Sequence, residues 1–188
     1  WDSHININLR APALLMRDFA NQDIFKAGDA AAQNGCIINL TDQRVWRLTP
    51  DFASYTVSKT GLWTLTQTFA QALAPQHIRV NAIAPGLFPT DGMSARLSPG
   101  GRGGNSQDDM NPMGRHGEMH ELANLAVFLM GPGAEWINGE TIAIDGAGYK
   151  AHGGSFYGAL KDMGDEQWSA MREMIKGTNA QDKSERTT

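Results

Sequence analysis

The chain has 188 residues, is 41% hydrophobic and 19% charged, and carries a formal net charge of -4. That length suits one domain with a real core, and the apolar share excludes an intrinsically disordered chain. The mild acidity argues against a nucleic-acid partner, and no apolar run approaches the roughly 20 residues that span a bilayer, so the expectation is a cytoplasmic chain with neither nucleic acid nor membrane as partner.

The opening stretch, residues 1–20, reads as a helix. Ile7, Leu14, Leu15 and Phe19 recur near helical spacing, Asp2 or Ser3 is placed to cap the start, and Pro12 predicts a kink or a late beginning. Residues 21–34 read as a loop. Cys36–Thr41 is short, β-branched and apolar on both faces, as a buried parallel strand is. The single cysteine, Cys36, forms no internal disulfide and fits a reducing compartment. After a loop over 42–51, Ala53–Leu73 is again helical, with Leu62, Leu65, Phe69 and Leu73 in one stripe and Pro75 as its stop. Ile78–Ala84 reads as a second buried strand, closed by Pro85-Gly86. The Pro-, Gly- and Ser-rich stretch 87–112 reads as a long loop, of the kind that serves as a lid. Met119–Met130 reads as a helix and Thr141–Gly146 as a third strand.

Beyond residue 148 the composition shifts. Trp168, Met171 and Ile175 mark an amphipathic helix, with Asp165 as its cap and Gly177 as its stop. That helix suits packing on the body of the fold or on a partner chain. The tail from Thr178 is polar and is expected to be disordered. The expected organisation is therefore a body over 1–148 and an extension over 149–188. The alternation of helices and strands predicts an α/β fold with a doubly wound parallel sheet.

Tyr55-Thr56-Val57-Ser58-Lys59 is the strongest chemical signal. On a helix Tyr55 and Lys59 stand at i and i+4 and leave from one face. A free phenol titrates at about 10, and a neighbouring cation lowers that value, so the pair is suited to exchange a proton with a substrate oxygen. Read by itself, Y-x-x-x-K is a weak motif that two surface residues satisfy equally well. The five histidines suggest no metal site: His116 and His120 are four apart, but Gly117 intervenes and no third ligand stands near in sequence.

The context of the motif is more specific. Asn8 to Pro12 (N-L-R-A-P), Ile37 to Asp42 (I-I-N-L-T-D), Tyr55 to Lys59, Arg79 to Gly86 (R-V-N-A-I-A-P-G) and Asn138 to Gly146 (N-G-E-T-I-A-I-D-G) follow in order. In this the chain resembles the C-terminal two-thirds of a short-chain dehydrogenase/reductase. The resemblance implies a Rossmann-like fold and an oxidoreductase that moves hydride between NAD or NADP and a carbonyl, imine or enoyl carbon of a small molecule. It implies that Tyr55 gives or takes the proton, that Lys59 binds the nicotinamide ribose and acidifies the tyrosine, and that Asn8 holds a water linking the lysine to solvent. Pro85, Gly86 and Thr90 then line the nicotinamide, and copies of the chain associate as a homo-oligomer.

One position departs from the pattern. Thirteen residues before Tyr55, where the family usually has a serine, stands Asp42. An ionised carboxylate accepts hydrogen bonds only, and beside a phenol it disfavours phenolate. Aspartate at this position resembles the pteridine reductase-like subset and implies a site tuned for reduction of a pterin-like ring. The plainer alternative is that Asp42 caps the next turn and Thr41 supplies the hydroxyl. The tail over 156–168 resembles the extension of some enoyl- and dienoyl-CoA reductase-like and citronellol-dehydrogenase-like members, which leaves an acyl or terpenoid substrate open.

The family's Gly-rich turn for the dinucleotide pyrophosphate has no counterpart, since Gly100 to Gly104 follow no strand and open no convincing helix. Together with a start at Trp1, this leads us to expect a fragment whose N-terminal nucleotide-binding part is absent. The reading from another class is a non-catalytic half-fold that serves as an oligomerisation module, with the stripe Leu62–Leu73 as its contact face.

Overall fold

The computed structural model describes residues 1–25, 34–48, 52–89, 111–151 and 160–186. These fall into two compact units, Trp1–Lys150 and Ala151–Thr188. The expected lid over 87–112 lies mostly outside the described residues, as do Gly100 to Gly104, Thr90 and the first residues of the 156–168 stretch.

In the first unit the opening helix comes in three pieces: α1 (Asp2–Ile5), a π-helical turn (Asn6–Arg10) and α2 (Ala11–Ala20). Pro12 sits in the first turn of α2, where its missing N–H matters least, and the widened turn before it takes the place of the expected kink. Neither Asp2 nor Ser3 caps the start: the N-cap is Trp1, without a side-chain bond, and Asp2 lies in the first turn, where its charge favours the helix dipole.

Strand β1 (Gly35–Leu40) follows, then α3 (Ala53–Leu73), β2 (Ile78–Pro85), α4 (Met119–Met130) and β3 (Thr141–Ile144). The three strands are parallel in the order β1-β2-β3. Gly35 to Leu40 pair with Ile78 to Ile83, and Ala82 to Pro85 pair with Thr141 to Ile144. Alternation along β2 builds two cores. Ile78 and Val80 face Met16, Ala20, Ala70 and Leu73, whereas Ile83 faces Leu129 and Ala134. Helices therefore cover both faces of the sheet, which is the doubly wound arrangement.

Leu62 and Leu73 are buried in α3, and Leu65 and Phe69 pack against the first core. The stripe expected to serve as a contact face is thus turned into the protein, because α3 has to cover β2. Polar motif residues have structural work as well. Arg79, also buried, donates to the Leu129 carbonyl at 2.8 Å and so caps the end of α4, while Asn81 donates to the Ile137 carbonyl at 2.7 Å.

The second unit holds α5 (Asp165–Arg186). It continues through Gly177, where the sequence predicts a stop, and through most of the tail expected to be disordered. A single glycine costs a helix only about 1 kcal/mol, and good helix formers such as Ala180 and Lys183 follow it. Among the described residues no helix is long and apolar enough to cross a membrane.

Candidate active site

The site gathers at the carboxyl ends of the strands, where open parallel sheets leave backbone and loops free to hold a ligand. β1 ends at Leu40. The chain then makes a single 3-10 turn, Gln43–Val45, with Asp42 at its N-cap. Asp42 Oδ1 accepts from the Arg44 backbone N–H at 2.8 Å. Its second oxygen, Oδ2, accepts from the Tyr55 hydroxyl, also at 2.8 Å. One carboxylate thus caps the turn and meets the phenol at once, and the two readings of Asp42 are not alternatives. Thr41 is not available as the substitute hydroxyl, because it is buried and donates to the Ile83 carbonyl at 3.1 Å.

Tyr55 and Lys59 leave α3 one turn apart. The Lys59 ammonium lies 5.8 Å from the Tyr55 ring centroid and donates to the Leu40 carbonyl at 2.7 Å. The ammonium is therefore anchored on β1 and not on the phenol oxygen. Burial first, then the charge of Asp42 and the hydrogen bond to it, push the Tyr55 phenol well above its ordinary value; Arg44 acts in the opposite direction. The acidified tyrosine expected from the Tyr-Lys spacing is not what this geometry produces. Burial also pulls the Lys59 ammonium below the usual lysine range, against the attraction of Asp42.

Asn8 lies in the π-helical turn. Its neighbour Leu9 packs where Gly61 leaves room: a Cβ on Gly61 would come within 2.9 Å of the Leu9 methyls. That close approach brings Asn8 Nδ2 to 3.1 Å from Ser58 Oγ, which in turn donates to the Tyr55 carbonyl at 2.7 Å. Asn8 and Lys59 line one groove of about 630 Å³ along β1, shared with Asn39 and Leu40. Pro85 pairs with Ile144 at the end of β2. Gly86 follows where a Cβ would lie 2.6 Å from Asp145 Cβ, so glycine is needed for the chains to pass. Asn8, Asp42, Tyr55 and Lys59 are thus brought together around the end of β1, while Pro85 and Gly86 stand at the end of the adjacent strand.

Residues that sequence reasoning missed complete the surroundings. Arg44 lies 3.4 Å from Asp42 Oδ2, and its guanidinium lies over the Phe52 ring at 4.8 Å. Trp46 pairs with Tyr149, their ring centroids 4.9 Å apart. His4 Nδ1 is 2.7 Å from Ser54 Oγ, and its ring meets the Tyr55 ring edge to face. The only signal for the first group was the density of cations and aromatics in Q-R-V-W-R, a loop stretch without periodicity.

The donor set suits a ribose. Among the described residues the Leu40 carbonyl takes one of the three N–H donors of Lys59, and a vicinal diol needs the other two. Among the described residues, no strand leads through a Gly-rich turn into a helix.

A family model described as enoyl-(acyl carrier protein) reductase matches residues 1–150. Dehydrogenase/reductase SDR family member 4 of Homo sapiens is 34% identical over 78% of this chain and 50% of its own length. The 2-dehydro-3-deoxy-D-gluconate 5-dehydrogenase of Dickeya dadantii is 33% identical over 78% of this chain and 55% of that protein. Among solved structures, FolM alternative dihydrofolate reductase 1 from Brucella canis, complexed with NADP, has a TM-score of 0.63 and 38% identity, covering 81% of this chain and 55% of that one. The chain spans about half the length of the curated relatives it matches.

Proposed function

This chain belongs to the short-chain dehydrogenase/reductase family, and from that premise we propose that it carries the proton-transfer half of a nicotinamide-dependent reductase site acting on a C=N bond of a pterin-like ring. The observation that carries this reading is the 2.8 Å hydrogen bond from the Tyr55 hydroxyl to Asp42. The similarity to a solved alternative dihydrofolate reductase supports it.

Bound NAD or NADP supplies the hydride, which goes to the carbon of the C=N bond. The nitrogen gains the electron pair and needs a proton. Tyr55 stands where it can provide it: a phenol is protonated at neutral pH, and the hydroxyl that donates to Asp42 in the free chain turns to the nitrogen, leaving a phenolate near the Lys59 ammonium. Asp42 orients the hydroxyl, and the phenolate regains its proton from solvent, with that carboxylate able to relay it only after taking up a solvent proton itself. Lys59 holds the ribose diol with its two remaining donors. Asn8, in the same groove, forms the polar end of the lysine's route to solvent. Pro85 and Gly86 line the nicotinamide side, and Thr90, outside the described residues, keeps that assignment by sequence match. Association of copies of the chain belongs to the same reading.

Kinetics with two substrates test it. Asp42→Ser should lower kcat/KM for a dihydropterin, relative to that for a simple ketone, by about a hundredfold or more, the usual scale for loss of one acid–base group. Equal or better dihydropterin reduction overturns the assignment. Titration of the whole chain with NADPH, read by enhanced nicotinamide fluorescence, tests cofactor binding separately; no binding together with a stable dimer favours the interaction module.

A further inference from the structure

We propose that Trp46 and Tyr149 form the wall that receives the flat face of a heteroaromatic substrate, and so select the substrate class, while Asp42 and Tyr55 handle the proton. The inference rests on the reductase reading above and adds the residues that choose the ring.

The two aromatics come from different loops, one after β1 and one after β3, at the strand ends that carry the site. Their centroids are 4.9 Å apart and their planes are inclined by 33°. Neither belongs to the two hydrophobic cores. Trp46 remains 36% exposed, so part of the indole is open to a ligand. A partly open aromatic pair at this edge of an α/β sheet is placed as ligand walls are.

The backbone that carries each ring is held by dedicated hydrogen bonds. Asp42 caps the 3-10 turn at one end, and the Trp46 backbone N–H closes it on the Gln43 carbonyl at 3.1 Å. One turn thus carries the carboxylate of the acid pair and the indole together. On the other side Asp145 fixes the loop: its Oδ1 accepts from Ala147 N–H at 3.0 Å and its Oδ2 from Tyr149 N–H at 2.8 Å. The Asn111 side chain donates to the Asp145 carbonyl at 2.8 Å. Within this loop Ala147 has φ 64, a left-handed conformation that alanine rarely adopts. Such a backbone persists only where the surroundings over-determine it, and strain of this kind gathers at functional sites. Here its product is the seat of Tyr149 against Trp46. Two inclined aromatic rings offer faces and edges to a flat conjugated ring, and little of that gain to a small aliphatic ketone.

The experiment uses the whole chain with NADPH, a dihydropterin and diacetyl as the aliphatic comparison. Trp46→Leu and Tyr149→Leu should each raise KM for the dihydropterin about tenfold with kcat changed less than about threefold, the loss of one stacking partner. Trp46→Phe, which retains a ring, should recover most of the lost affinity. The selectivity for dihydropterin over diacetyl should fall in the leucine variants. A dihydropterin KM that moves no further than the diacetyl KM overturns the proposal and leaves the reductase reading standing. A second readout needs no turnover: folate should quench tryptophan emission in the wild-type chain, and Trp46→Phe should remove that quench. Quenching at Trp46 in a chain that reduces only diacetyl upholds the aromatic wall and overturns the pterin reading. Folate quenching unaltered by Trp46→Phe overturns the wall.

Discussion

At the residue scale the site is decided by a contest over one proton. Tyr55 has a cation one helical turn away, which taken alone would draw the phenol toward ionisation. The ammonium is committed to the Leu40 carbonyl, and the hydroxyl is committed to Asp42. Burial and the aspartate together outweigh Arg44, and the phenol ends above its ordinary value. The consequence is measurable without any substrate. The chain has three tyrosines, and one phenol should titrate later than a free tyrosine when phenolate absorbance is followed in alkaline solution. Tyr55→Phe should remove the late phase. Asp42→Asn should shift it to lower pH, because two of its three upward causes come from that carboxylate. A late phase unchanged by Asp42→Asn would mean that burial alone sets the phenol. The sign extends to stability: a raised pKa stabilises the fold below about pH 10, and that contribution is lost as the pH climbs through the folded-state value.

At the element scale, the strength of local signals separates what the sequence made legible from what it did not. Ala53–Leu73 and Met119–Met130 are read to the residue, because their apolar positions keep helical spacing and Pro75 and Gly131 end the pattern. The strands are read to within one or two residues, since short apolar runs carry no sign of where pairing stops. The four motif residues Asn8, Asp42, Tyr55 and Lys59 were legible as a group. The partners of Asp42 were not, since the contacts of Arg44 and the pairing of Trp46 with Tyr149 depend on how two loops meet in space. Nor was the network that caps α4 at its start. There Glu118 and Glu121 form a reciprocal capping box, and Arg115 grips Glu121 through two nitrogens, at 2.8 and 2.7 Å. Those bonds hold the Glu121 carboxyl down to about 2. A depressed carboxyl stabilises above its unfolded value near 4.5 and loses that contribution as pH falls toward 2. Glu121→Gln should therefore lower the melting temperature at neutral pH, and the gap from wild type should close between these two pH values. A gap that stays constant down to acid pH would assign the effect to the hydrogen bonds rather than to the charge.

At the scale of the whole molecule, the question is what holds the two units to their folded state. Both hydrophobic cores lie within Trp1–Lys150, and no described residue beyond Ala134 is fully buried. The long helix α5 keeps Trp168, Met174 and Ile175 between 40% and 65% exposed. A lone helix of its length is marginal in water unless something covers its apolar stripe. Truncation and the concentration dependence of melting test what each unit contributes. If the stability of the first unit comes from its own cores, a chain ending at Lys150 should melt within about 3 °C of the full chain, a shift that corresponds to about 1 kcal/mol or less at this size. Its circular dichroism should lose the helical signal of α5. A fall of ten degrees or more, independent of protein concentration, would show that the cores of the first unit do not suffice on their own. A melting temperature that rises with concentration in the full chain but not in the truncated one would place the stripe between copies, because only association couples stability to concentration.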